Sequence, residues 1–118
     1  MKTAYGDIAP FITRDGSLIR ELMHPTQHGA GAMSFAEATV SPGETTRLHL
    51  HQAAEEIYHL TQGSGSMRLG DAEFDICRGD TITIAPGTPH CVTNTGGEPM
   101  KILCVCHPPY ADDDTRLL

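Results

Sequence analysis

RLHLHQAAEEIYHLTQG, residues 47–63, combines the apolar residues typical of a β-strand with three histidines and two adjacent glutamates. Side chains alternate between the two faces of a strand, so His49 and His51 project the same way, about 6.6 Å apart. That separation suits two imidazoles that bind one metal ion. Leu48 and Leu50 then project to the opposite face. The stretch therefore predicts a strand with one apolar side and one metal-binding side.

The spacing leaves open which glutamate joins these histidines. If residues 52–55 form a four-residue hairpin loop, His51 faces Glu56 and His49 faces Tyr58 on the next strand. A three-residue loop selects Glu55 instead and turns Tyr58 away. Both registers remain open on spacing alone.

A third histidine follows a rigid bend in GDTITIAPGTPHCVTN, residues 79–94. Two prolines and a glycine form this bend and deliver His90 to the start of a strand. The next loop, residues 95–99, predicts a hairpin that pairs His90 with Cys104. In that register the thiol lies on the same face as the imidazole, whereas a register shifted by one residue turns it away.

The two segments resemble the two sequence motifs of the cupin family. GETTRLHLHQAAEEIYHLTQG, residues 43–63, is similar to G-x5-H-x-H-x4-E-x6-G, and residues 79–94 are similar to G-x5-P-x-G-x2-H-x3-N. One departure is Ala85, which stands where the second motif has its first proline, but Pro86 follows directly. The matching positions are Gly43, His49, His51, Glu56 and Gly63 in the first motif, and Gly79, Gly87, His90 and Asn94 in the second.

The resemblance implies an all-β cupin fold, a jelly-roll β-barrel (double-stranded β-helix), that forms a single domain over residues 1–118. It also implies one divalent transition metal, Fe, Mn, Ni or Zn, held by His49, His51, Glu56 and His90. Glu56 is selected because only that choice leaves six residues before Gly63.

The rest of the chain agrees with an all-β fold. Short alternating runs are separated by turn residues, with 12 glycines, 8 prolines and no tryptophan. Residues 1–25 contain a predicted hairpin around Asp15-Gly16 and form a candidate dimer arm, since an exposed edge strand can pair with a second copy. Residues 43–106 carry the motifs, and residues 110–118 are predicted to be an acidic, loosely held C-terminal tail.

Charge and hydropathy limit the classes of partner. The formal net charge of −7 argues against nucleic acid and against an anionic membrane surface. No run approaches the roughly 18 apolar residues of a membrane span, and the first residues lack the apolar segment of a signal peptide. We expect a cytoplasmic protein that binds a small molecule and forms a homodimer.

The expected metal centre predicts roles for three further residues. Tyr58 is a candidate general acid or base, with a space-filling tyrosine as the alternative. Arg47 and Cys104 are candidate substrate-binding residues, with a solvated side chain and simple packing as their alternatives. Three neutral imidazoles, one carboxylate and a divalent ion carry a net charge of about +1, which favours an anionic substrate.

These features predict a small metalloenzyme that acts on a small polar or organic-acid substrate. The reaction is either that of a dioxygenase or that of a metal-assisted lyase or isomerase. Because the fold hosts many reactions and does not choose among them, a second hypothesis stays open. In that hypothesis the protein is a non-catalytic cupin that binds a small ligand or assists another enzyme.

Overall fold

Antiparallel strands dominate the computed structural model, which describes residues 1–29 and 31–118. In that part of the chain the helical elements are two three-residue 3₁₀ helices, Tyr5–Asp7 and Asp112–Asp114, and no helix has the length and apolarity needed to cross a membrane. The strands are β1 (Phe11–Ile12), β2 (Leu18–Met23), β3 (Ser34–Val40), β4 (His49–His51), β5 (Glu55–Gln62), β6 (Ser64–Leu69), β7 (Ala72–Cys77), β8 (Thr81–Ile84), β9 (His90–Asn94), β10 (Met100–His107) and β11 (Thr115–Leu117).

The strands form two antiparallel sheets. Six strands pair in the order β1-β2-β3-β10-β5-β8, and five pair in the order β11-β4-β9-β6-β7. Consecutive strands therefore often belong to different sheets. The prediction of an all-β chain is confirmed.

The hydrophobic core lies between the two sheets. Strands β3 and β10 alternate strictly between buried and partly buried residues over Ser34–Val40 and Met100–Cys106, so each presents one face to the interior. The core draws residues from both sheets, including Leu60, Met67, Val92, Met100 and Ile102. This packing fixes which side chains of each strand point inward.

Two predicted hairpins are wrong. Strand β4 pairs with β9 and β11, whereas β5 pairs with β10 and β8, so residues 52–54 carry the chain from one sheet to the other. Strands β9 and β10 also lie in different sheets, and His90 pairs with His49 rather than with Cys104. In both cases a short loop joins strands across the core instead of within one sheet.

The two ends of the chain both belong to the sheets. The predicted N-terminal hairpin is present, with Phe11 opposite Ile19, and Gly16 takes a left-handed φ of 89° in its turn. The prediction of a loose C-terminal tail is wrong, because β11 pairs with β4 and places Thr115 opposite His51. The last strand therefore forms one edge of the five-stranded sheet, next to the candidate site.

Candidate metal centre

Three histidines converge on the interior side of the five-stranded sheet. His49 and His51 lie on β4, and His90 begins β9 directly opposite His49. One ring nitrogen of each lies within 4.8 Å of those of the other two, and all three side chains are buried. The predicted triad is thus brought together in a geometry that can bind one metal ion.

The outer nitrogen of each imidazole faces a protein oxygen, which fixes the orientation of the ring. The Thr115 hydroxyl donates to the Ala111 carbonyl and is therefore free to accept from His51. We infer that each Nδ1 carries the proton and that each Nε2 offers a lone pair to the interior, as metal-binding histidines require. The contacts are His49 Nδ1 to Arg47 O at 2.8 Å, His51 Nδ1 to Thr115 Oγ1 at 3.0 Å and His90 Nδ1 to Thr88 O at 2.9 Å.

Glu56 supplies a carboxylate to the same cluster from the other sheet. Its Oε1 lies 3.2 Å from His51 Nε2 and 3.5 Å from His90 Nε2, and its Oε2 accepts a hydrogen bond from the Cys106 thiol at 3.2 Å. Glu56 is buried while Glu55 is exposed, so the structure brings the former to the histidines.

The charge balance at Glu56 favours a cation beside it. Burial raises the pKa of Glu56, but the interactions with His51 and His90 outweigh burial and lower it to about 2. Burial also lowers the pKa of His51, yet the Glu56 carboxylate outweighs this and raises it above its ordinary value. The carboxylate is therefore ionised, and it attracts either a proton shared with these imidazoles or a cation in the place of that proton.

Two buried atoms in the cluster indicate what that positive charge is. Among the described residues, Glu56 Oε1 and His90 Nε2 have no hydrogen-bond partner. Leaving a buried polar atom unpaired costs roughly 1–3 kcal/mol. Because both are lone-pair donors that face the same point, a divalent cation fits this donor set.

Tyr58 and Cys104 approach the cluster from the six-stranded sheet. The two residues are directly opposite each other on β5 and β10, and Cys106 is opposite Glu56 in the same ladder. The ring centroid of Tyr58 lies 5.9 Å from that of His90. Burial, followed by the charge of Glu56, raises the pKa of the Tyr58 phenol well above its ordinary value, so the phenol stays protonated.

A small cavity connects these groups. Its volume is about 50 Å³, room for a few water molecules. Its lining combines polar residues, among them His49, His51 and Glu56, with a larger apolar surface. The apolar lining includes Ile19, Ala36, Ala38, Val40, Val92 and Ile102.

The Arg47 side chain does not reach the cavity. The residue precedes β4, its side chain is exposed, and it is absent from the described residues that line the cavity. Arg47 contributes through its backbone, since its carbonyl accepts from His49 and its N–H donates to the Asp15 carbonyl at 2.7 Å. A role for its side chain in substrate binding stays a prediction.

Among the cavity residues that the sequence patterns missed, three contact the candidate metal ligands. Cys106 bonds the Glu56 carboxylate, Tyr110 packs edge-on against His51, and Asp15 reaches His49 from the N-terminal hairpin. The alternation in KILCVC already placed Cys106 on the face of Cys104. Nothing in the sequence near Asp15-Gly16 indicated more than a turn.

Two comparisons with known protein sequences cover more than half of the chain. The family model described as "Cupin domain" matches residues 36–106. An uncharacterized protein of Methanocaldococcus jannaschii is 48% identical over 118 residues, which cover all of this chain and 94% of that protein.

Solved structures support the fold. The crystal structure of a predicted oxalate decarboxylase from Thermotoga maritima has a TM-score of 0.79 at 24% identity and covers 92% of this chain and 99% of its own. The Streptomyces nucleoside dehydratase Pac13 has a TM-score of 0.80 at 16% identity and covers 100% and 90% respectively. At these identities the likeness shows the jelly-roll fold alone.

Proposed function

Because this chain belongs to the cupin family, we propose that it is a metalloenzyme that acts on a small polar or organic-acid substrate. One divalent transition metal, Fe, Mn, Ni or Zn, would be held by His49, His51, Glu56 and His90. One observation carries the proposal. Three buried, oriented imidazoles and an ionised carboxylate come together, and their unpaired lone pairs face the same point.

The bound metal would act as a Lewis acid that polarises a carboxylate or carbonyl oxygen. The chain's own residues supply the rest. Tyr58 keeps its proton in the metal-free protein, and as a residue that lines the cavity it can donate a hydrogen bond or a proton to a bound substrate. Cys106 holds the Glu56 carboxylate in place through the bond to Oε2.

The small volume of the cavity favours a small substrate. The net charge of about +1 expected for the divalent ion with Glu56 and three neutral imidazoles favours an anionic one. A cavity of about 50 Å³ admits only a few non-hydrogen atoms beyond the metal. We propose that Cys104 packs against the substrate, because burial raises the pKa of its thiol well above the ordinary value and keeps it neutral.

A metal-assisted lyase or isomerase reaction is our preferred assignment, since a protonated phenol beside the site serves proton transfer. Purified protein loaded with each metal is to be screened against small mono- and dicarboxylates, with and without oxygen. Turnover without oxygen supports the lyase or isomerase assignment, and turnover that requires oxygen makes the protein a dioxygenase. Tight ligand binding without turnover under either condition makes it a non-catalytic binding protein.

Replacing Tyr58 by phenylalanine is expected to lower kcat by about 10²–10⁴-fold, the usual contribution of a general acid. Metal content should be unchanged, because the phenol is not among the proposed ligands. Tyr5→Phe is a matched control, since Tyr5 is exposed and its hydroxyl bonds Glu37. A Tyr58→Phe variant with wild-type kcat would show that the ring only fills space.

We also propose that the protein forms a homodimer through its N-terminal strands. Strand β1 lies at the edge of the six-stranded sheet and exposes Phe11 and Ile12, at 43% and 64%. Light scattering is expected to give about twice the 12.7 kDa chain mass, and Ile12→Glu is expected to shift the protein towards monomer. A wild-type monomer at high concentration would contradict the proposal.

A further inference from the structure

Asp15, in the turn between β1 and β2, presents one carboxylate oxygen to the candidate metal centre. Its Oδ2 lies 3.7 Å from His49 Nε2, and its side chain is 13% exposed. Asp15 also lines the cavity shared by the histidines and Glu56. The N-terminal hairpin is thus part of the wall of the site.

The other carboxylate oxygen of Asp15 is held by hydrogen bonds within the turn. Asp15 Oδ1 accepts from the Thr13 hydroxyl at 2.7 Å, from the Ser17 backbone N–H at 3.0 Å and from the Ser17 hydroxyl at 2.6 Å. These three bonds fix the plane of the carboxylate. Oδ2 is consequently held facing His49 rather than rotating freely.

The turn itself is anchored to the strands that carry the site. The Asp15 carbonyl accepts from the Arg47 N–H at 2.7 Å, and the Arg14 guanidinium donates to the Thr115 carbonyl at 3.0 Å. Arg47 and Thr115 are the same residues whose oxygens hold the rings of His49 and His51. The carboxylate is therefore positioned by the framework that positions two of the ligands.

Two lone-pair donors face each other at this point. His49 Nδ1 donates to Arg47, so Nε2 is an acceptor, and Asp15 Oδ2 is an acceptor as well. Such a pair is favourable when a cation lies between them. Ligand atoms that are each about 2.1 Å from one ion are separated by about 3.0–4.2 Å, depending on the angle, and 3.7 Å falls in this range.

We propose that Asp15 is an additional ligand of the metal, on the side of His49, while Glu56 binds on the side of His51 and His90. This inference rests on the proposed metal centre and adds a second carboxylate to it. The two carboxylates together neutralise the divalent ion, and the three imidazoles add no charge. An anionic substrate would then compete with Asp15 for the metal.

Cobalt(II) alone tests the inference, without any substrate. Asp15→Asn keeps an oxygen that can accept the three turn bonds, but it replaces the anionic donor. We expect the variant to bind Co²⁺ at least about 10-fold more weakly and to change the visible absorption of the bound ion, because the ligand set differs. Asp71→Asn, the same charge change at an exposed turn residue, should stay within about twofold of wild type.

Two further measurements separate the possible outcomes. Apo-protein melting curves report any purely structural effect of Asp15→Asn, which would lower Tm and leave the cobalt spectrum unchanged. That result, or an unchanged Kd and spectrum, would overturn the inference while the remaining site stands. Wild-type protein that binds no Co²⁺ would overturn this inference and the proposed metal centre together.

Discussion

Replacing His49 by alanine is expected to weaken metal binding by at least about 100-fold. Loss of a residue that merely orients a ligand costs about 10–100-fold in affinity, so loss of a ligand itself should cost more. The variant removes one of the three imidazole lone pairs that face the centre. Metal affinity is measured by calorimetric titration, and metal content by elemental analysis of the purified protein.

His59→Ala is the matched control for this experiment. His59 lies on β5 in the first motif, but its ring is partly exposed and its Nδ1 contacts the Thr81 hydroxyl at 2.8 Å. The control should bind metal as the wild type does. Equal affinities for wild type and His49→Ala would show that the histidine cluster is not a metal centre.

Replacing Gly65 by alanine should destabilise the fold more than any substitution at the site. Gly65 is buried in β6 between Asn94 on β9 and Ile76 on β7. A Cβ there would overlap the Thr93 carbonyl oxygen, and it would approach Met100 Cε to 2.5 Å. Backbone paired on both sides has little freedom to move away.

The expected cost is about 3 kcal/mol or more, the upper part of the range for overpacking a core. For a domain of this size that lowers Tm by about 10 °C or more. Thermal unfolding followed by circular dichroism measures the loss. Gly97→Ala is the control, because a Cβ at Gly97 meets no atom within 4 Å and the residue is exposed. Equal melting temperatures for the two variants would contradict this packing argument.

The four candidate metal ligands were identified from patterns in the sequence. Strand alternation alone placed His49 and His51 on one face, and the motif spacing selected Glu56 and His90. The first inference depends on the periodicity of a strand, which is a local property, whereas the second depends on the resemblance of residues 43–63 and 79–94 to the cupin motifs. All four residues are buried and come together in the structure.

The pairing of strands was not predictable in the same way. A short loop suggests a hairpin, yet β4 and β5 belong to different sheets, as do β9 and β10. Glu56 consequently meets His51 across the interior and not across a ladder. Glu56 and the three histidines lie together although the assumed hairpin was wrong, because both arrangements require the same inward face of each strand.

The sequence by itself determined the all-β class, the inward faces of the strands and the identity of the histidines and glutamate at the centre. Tertiary structure alone decided that Asp15 reaches His49 and that Thr115, 100 residues further along the chain, reaches His51. The physical reason is that the alternation of buried and exposed side chains along a strand depends only on residues that are close together in the sequence. Contacts between the ends of the chain depend on how two sheets pack around one core, which no local pattern encodes.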